Sequence, residues 1–211
     1  MPRRIHDISQ PVGERTAVWP GDRPVELDWT MSRRRGDSVN VAWIAFTVHA
    51  GTHADGPLHY LDLAPPVGEM PLDTYVGPAL VIDARGRHVL DETVLDGVSL
   101  DGVERVLFRS REEIDETIFP PSFAAIAPAL AERLGDAGVL LVGTDSPSVD
   151  PFDSKTLDAH HTLSARGIAI LENLVLSGVA PGQYMLVALP LRLIEADSSP
   201  VRAILLEGWE A

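Results

Sequence analysis

The sequence predicts an α/β domain with a mixed sheet and few helices, on three observations. Short apolar blocks rich in β-branched residues recur along the 211 residues. Helical stretches between them are scarce. Gly and Pro, 17 of each, break the chain into frequent turns. The longest apolar block, 39–48, reads as a buried strand that ends at His49. Further strands are expected at 25–30, 79–83, 105–109, 139–143, 184–189 and 201–206, and the VGPALVIDARG and YMLVALP runs have the texture of central strands. Two helices follow from their caps. Ser122 is the expected N-cap of a helix over 123–134 that Gly135 stops, and Gly167 closes a second over 156–165. Between them GTDSPSVDPFDSK, a loop directly after a strand, is a place where chemistry is often found in such folds. No repeat, linker or shift in composition divides the chain, so one domain over 1–211 is expected.

Composition narrows the function. The formal net charge is −14, with 31 acidic and 17 basic residues, which argues against a nucleic acid or an anionic membrane as partner. Cysteine is absent, so disulfides, thiolate nucleophiles and thiolate metal sites are excluded together. Any metal must be held by His, Asp and Glu, a set that suits Zn²⁺ or Mn²⁺. The opening MPRRIHDIS has no apolar stretch behind its arginines, and no run approaches the roughly 18 apolar residues of a membrane span. A cytoplasmic protein is expected.

Of seven histidines, three fall within HAGTHADGPLHY, residues 49–60, spaced His49-x3-His53-x-Asp55-x3-His59. Gly51, Gly56 and Pro57 argue against a helix there, so a turn-rich loop is expected to fold these side chains towards one point. Imidazole and carboxylate groups in such density suit a hydrolytic metal site. A second source of ligands is His160-His161 with Glu172. Adjacent helix residues point about 100° apart, so one of the two histidines should face the site while the other packs elsewhere. Spacing does not say which. Asp55 and Glu172 are the carboxylates able to bridge two ions. His6 and His88 read as ordinary structural histidines.

These residues resemble the H-x-G-T-H-x-D-x-P-x-H signature of the metal-dependent cyclase family. VWPGD at 18–22, TDSPSVDPFDSKTLDAHH at 144–161, AILENLVL at 169–176 and LPLRLIEADSSPVRAIL at 189–205 resemble its bacterial kynurenine formamidase branch. The resemblance implies a swivelling β/β/α domain that assembles as a homodimer or larger homo-oligomer. It implies hydrolysis of N-formyl-L-kynurenine to L-kynurenine and formate at two Zn²⁺ per subunit. His49 and His53 would bind one zinc and His160 the other, with Asp55 and Glu172 bridging both. His59 would donate and accept the proton, and Trp19 would contact the substrate. Gly56 stands where relatives often have alanine, which implies a looser loop, and segment 109–124 is expected to shape the pocket. Alternatives are another aryl or cyclic amide as substrate, as in isatin hydrolases, or a non-catalytic metal-binding protein. The Ser-His-Asp type lacks its G-x-S-x-G elbow here.

Overall fold

Burial on both faces explains why the apolar blocks of the central strands are continuous. The computed structural model describes residues 3–208, so residues 1, 2 and 209–211 of the expected domain lie outside the described residues. In chain order the strands begin with β1 (Arg4–Asp7), β2 (Glu26–Met31), β3 (Val41–Ala45), β4 (His53–Asp55), β5 (Val76–Asp83) and β6 (Val89–Leu90). They continue with β7 (Arg105–Arg109), β8 (Ala125–Ile126), β9 (Leu141–Thr144), β10 (Ala169–Glu172), β11 (Gly182–Val187), β12 (Ser198–Pro200) and β13 (Ile204–Glu207). The α-helices are α1 (Pro128–Asp136) and α2 (Asp158–Ala165).

Nine strands form one mixed sheet in the order β1-β13-β11-β5-β7-β9-β10-β4-β12. β5, β7, β9 and β10 run parallel at its centre, and antiparallel strands flank them on both sides. Side chains alternate between the two faces of a strand. Val106, Phe108, Val142 and Ile170 enter one core cluster with Leu130, Leu134 and Leu163 of the helices. Their neighbours Leu107, Leu141 and Leu171 enter a second, opposite cluster with Ile8, Leu186 and Leu205. With both faces covered, such strands need apolar residues at every position.

The structure corrects four expectations. The 39–48 block is not a buried strand. Its strand is β3, which ends at Ala45 and, among the described residues, pairs only with β2, as a two-stranded sheet apart from the main one. Residues 123–134 do not form one helix. Ala125 and Ala127 donate their backbone N–H groups to His88 and Leu90, and Ile126 donates to Val149, which makes β8 a strand beside β6. The helix starts only at Pro128, whose missing N–H and fixed φ suit a first turn. Gly135 lies inside α1, where its hydrogen lets the Arg166 side chain cross close by. The block 201–206 begins as coil and pairs only from Ile204. Finally, the 49–59 loop holds a short buried strand, β4. The remaining strands and α2 lie within a few residues of their expected places. Among the described residues no helix is long and apolar enough to cross a membrane.

Candidate metal centre

The antiparallel pairing of β4 with β10 sets Glu172 opposite His53 and Ile170 opposite Asp55. Residues two apart on a strand share a face, so His53, Asp55 and Glu172 all project towards α2. Ala54 and Leu171 point the other way, into the second core cluster. α2 completes the cluster with His160, 2% exposed, while His161 is exposed and its ring lies 6.1 Å from that of Tyr60. The structure thus separates the two adjacent histidines that spacing left open.

The donor atoms meet at regular distances. His53 Nε2 lies 3.4 Å from both Asp55 Oδ1 and Glu172 Oε2. His160 Nε2 lies 3.5 Å from Asp55 Oδ2 and 3.6 Å from Glu172 Oε1. His49 Nδ1 lies 3.3 Å from Asp55 Oδ1. A tetrahedral ion with ligands at about 2.0–2.1 Å sets its ligand atoms about 3.3–3.4 Å apart. Among the described residues, His53 Nε2, both Asp55 oxygens and His160 Nε2 are buried with no hydrogen-bond partner. Buried polar atoms rarely stay unpaired. The opposite nitrogens are held: His53 Nδ1 donates to the Gly51 carbonyl at 2.9 Å and His160 Nδ1 to Asp150 Oδ2 at 2.6 Å. Such outer bonds fix the tautomer of a metal-binding histidine and aim its Nε2. The residues therefore fit a divalent metal.

Electrostatics agree with that aim. Burial disfavours the imidazolium of His160, but Asp150 and Asp55 outweigh it and raise its pKa to about 10. His49, disfavoured likewise by burial, is raised to about 10 by Asp197 and Asp55. Burial also opposes ionisation of Asp55, yet its contacts with His160 and His49 hold the carboxyl well below the usual range. The carboxylate charge that raises these histidines is the charge a bound cation would balance.

His59 closes the short Pro57–His59 turn at the edge of this cluster. Its Nδ1 lies 3.1 Å from Asp197 Oδ2, the oxygen that also sits 2.8 Å from His49 Nε2. One of its nitrogens is within 4.8 Å of donor atoms of Asp55 and His160. Gly56 has no room for a Cβ, which would lie 2.7 Å from the Val67 nitrogen and 3.1 Å from the Asp197 carbonyl. The glycine seats the loop tightly against Val67 instead of loosening it.

Above this floor opens a cavity of about 430 Å³. Trp19 lines it, with its ring 5.1 Å from Phe152 and 5.3 Å from Phe119. Segment 109–124 forms part of the wall through Arg111, Ile118 and Phe119, as expected. The cavity thus brings together His49, His53, His59, His160, Glu172 and Trp19 over buried Asp55. Sequence reading missed Asp150 and Asp197. Asp150 lies in the loop singled out after β9 and Asp197 in the block 189–205, but Asp197 is 138 residues from His59 and nothing local ties it to the histidines.

The family model described as "Putative cyclase" matches residues 6–151, the stretch holding the 49–59 cluster. The kynurenine formamidase of Paracidovorax citrulli (strain AAC00-1) is 44% identical over 211 residues, 97% of each chain. A solved structure described as a potential metal-dependent hydrolase with cyclase activity superposes with a TM-score of 0.85 at 26% identity, covering 99% of this chain and 100% of the other. Isatin hydrolase A from Labrenzia aggregata has a TM-score of 0.81 at 21% identity, over 97% of this chain and 93% of its own, a likeness of fold. The expected swivelling β/β/α fold is borne out by these superpositions. With the family model spanning most of the sequence and the relative matching it almost end to end, the chain belongs to the cyclase family.

Proposed function

We propose that this chain is a metal-dependent kynurenine formamidase (arylformamidase), a single domain that hydrolyses N-formyl-L-kynurenine to L-kynurenine and formate in tryptophan degradation. The observation that carries the reading is the set of buried, unpaired donor atoms at the floor of an aromatic cavity. The name of the 44% identical relative supplies the substrate.

His49, His53, Asp55, His160 and Glu172 would hold two Zn²⁺. Mn²⁺ is the alternative for such a nitrogen and oxygen donor set. A bound metal pair supplies Lewis acidity, polarising the formyl carbonyl and acidifying water. His59 takes the proton of the attacking water and returns it to the departing aniline nitrogen, a task suited to imidazole near neutral pH. Asp197 holds Nδ1 of that ring, which leaves Nε2 for proton exchange. Trp19 and Phe119 offer flat apolar faces to the substrate's aryl ring, and Phe152 packs against Trp19.

The reading includes a cytoplasmic homodimer or larger homo-oligomer. Its support is the β2–β3 hairpin, where Leu27, Trp29, Val41, Trp43 and Ile44 are all exposed. An isolated hairpin is at best marginal in water, so these apolar faces call for a cover. Arg33, Arg34 and Arg35 form the turn between its strands, and a second copy of a chain with net charge −14 is complementary to them.

Hydrolysis of N-formyl-L-kynurenine by purified protein, before and after chelation and zinc return, tests the function. Turnover should vanish with chelator and recover with zinc. A zinc-loaded chain that leaves the substrate intact overturns the assignment.

A further inference from the structure

The metal floor and aromatic wall account for a formyl group and an aryl ring, but a kynurenine carries a third recognisable part, its amino-acid end. Among the residues lining the cavity, Arg111 is the one Lys or Arg. It also lines a shallower cleft with Glu113, Ile114 and Pro121, so it stands at the border between the cavity and the outer surface. The metal floor is almost fully buried, whereas Arg111 is half-buried. A substrate with its reacting bond at the floor therefore brings its far end towards this arginine.

The backbone around Arg111 is fixed. Directly after β7, Ser110 and Arg111 both donate their backbone N–H groups to buried Asp145, at 2.9 and 3.0 Å, and the Ser110 hydroxyl donates to it at 2.5 Å. The Arg111 guanidinium, in contrast, has no hydrogen bond or ion pair among the described residues. The other arginine at the end of this strand, Arg109, spends its guanidinium on the Val179 carbonyl. Burial of the Arg111 side chain opposes its charge, and the more distant Asp145 carboxylate only partly offsets that. A pinned, partly desolvated guanidinium with open donors matches a carboxylate, which it can bind through two parallel hydrogen bonds.

We infer that Arg111 anchors the α-carboxylate of the substrate and so selects aryl formamides that carry an amino-acid side arm. The inference rests on the formamidase reading and adds the group that distinguishes its substrate from a plain aryl amide. Arg111 is a specificity-determining residue in this account and takes no part in the proton transfers.

The test compares two substrates that share the reacting group: N-formyl-L-kynurenine and 2′-formamidoacetophenone, which lacks the amino-acid end. The readout is the ratio of their kcat/KM values, which does not depend on how much of a variant is folded. In Arg111→Gln that ratio should drop roughly 10–100-fold, carried by a higher KM for N-formyl-L-kynurenine, because a charged hydrogen-bonding partner is lost. Arg111→Lys, which keeps the charge without the fork, should restore part of it. An unchanged ratio, including a parallel fall on both substrates, overturns the inference. Failure of the formamidase reading looks different: the wild-type chain would then not hydrolyse N-formyl-L-kynurenine at all.

Discussion

At the cavity floor, polar atoms are buried without hydrogen-bond partners; in the β2–β3 hairpin, large apolar side chains stand in water. His53 Nε2, His160 Nε2 and both Asp55 oxygens belong to residues 3% exposed or less, whereas Trp43 is 50% and Trp29 44% exposed. Each region breaks the usual burial pattern, in opposite senses. The floor is rigidly framed by paired strands, a helix and outer hydrogen bonds that Gly51 and Asp150 accept from the histidines. The hairpin's two strands pair with each other, outside the main sheet. In the reading proposed above, the floor would take a cation and the hairpin a second copy of the chain.

Substitutions can sharpen that contrast. Asp55→Ala removes both shared oxygens and should lower activity by more than about 10³-fold together with metal content, beyond the roughly 10–100-fold typical of an outer carboxylate. His59→Ala should lower turnover by about 10²–10⁴-fold while metal content, read by elemental analysis, stays intact. Loss of metal along with activity would make His59 a ligand instead, as its closeness to Asp55 and His160 permits. Trp43→Asp should act at the other region. It is expected to shift the chain to monomer in light scattering, with a change in the monomer's own stability within about 0.5 kcal/mol because half of the residue is exposed to solvent. A Trp43→Asp protein that keeps its oligomeric state would break the pairing of hairpin with second copy.

How far these regions were legible in the sequence follows from the range of the interactions involved. The 49–59 cluster was visible because its four side chains lie within eleven residues. The strands at 79–83 and 105–109 were visible because burial on both faces leaves a local, continuous apolar run. The same signal misled at 39–48, where an apolar run marks an exposed hairpin: a single strand does not record what covers its faces. Capping signals misled at Ser122, where long-range pairing of β8 with β6 overrides a local helix start. Choosing His160 over His161 needed the position of β4, more than a hundred residues earlier, although the family resemblance also points to it. The role of Asp197 stayed hidden for the same reason, since it acts on His49 and His59, well over a hundred residues earlier.

The metal content of the purified chain, loaded with zinc and then desalted, tests the reading of the cavity floor most directly. About two equivalents per chain are predicted for the wild type, as a two-metal site requires, with a large loss in Asp55→Ala. A wild-type chain that retains no divalent ion under those conditions would contradict it.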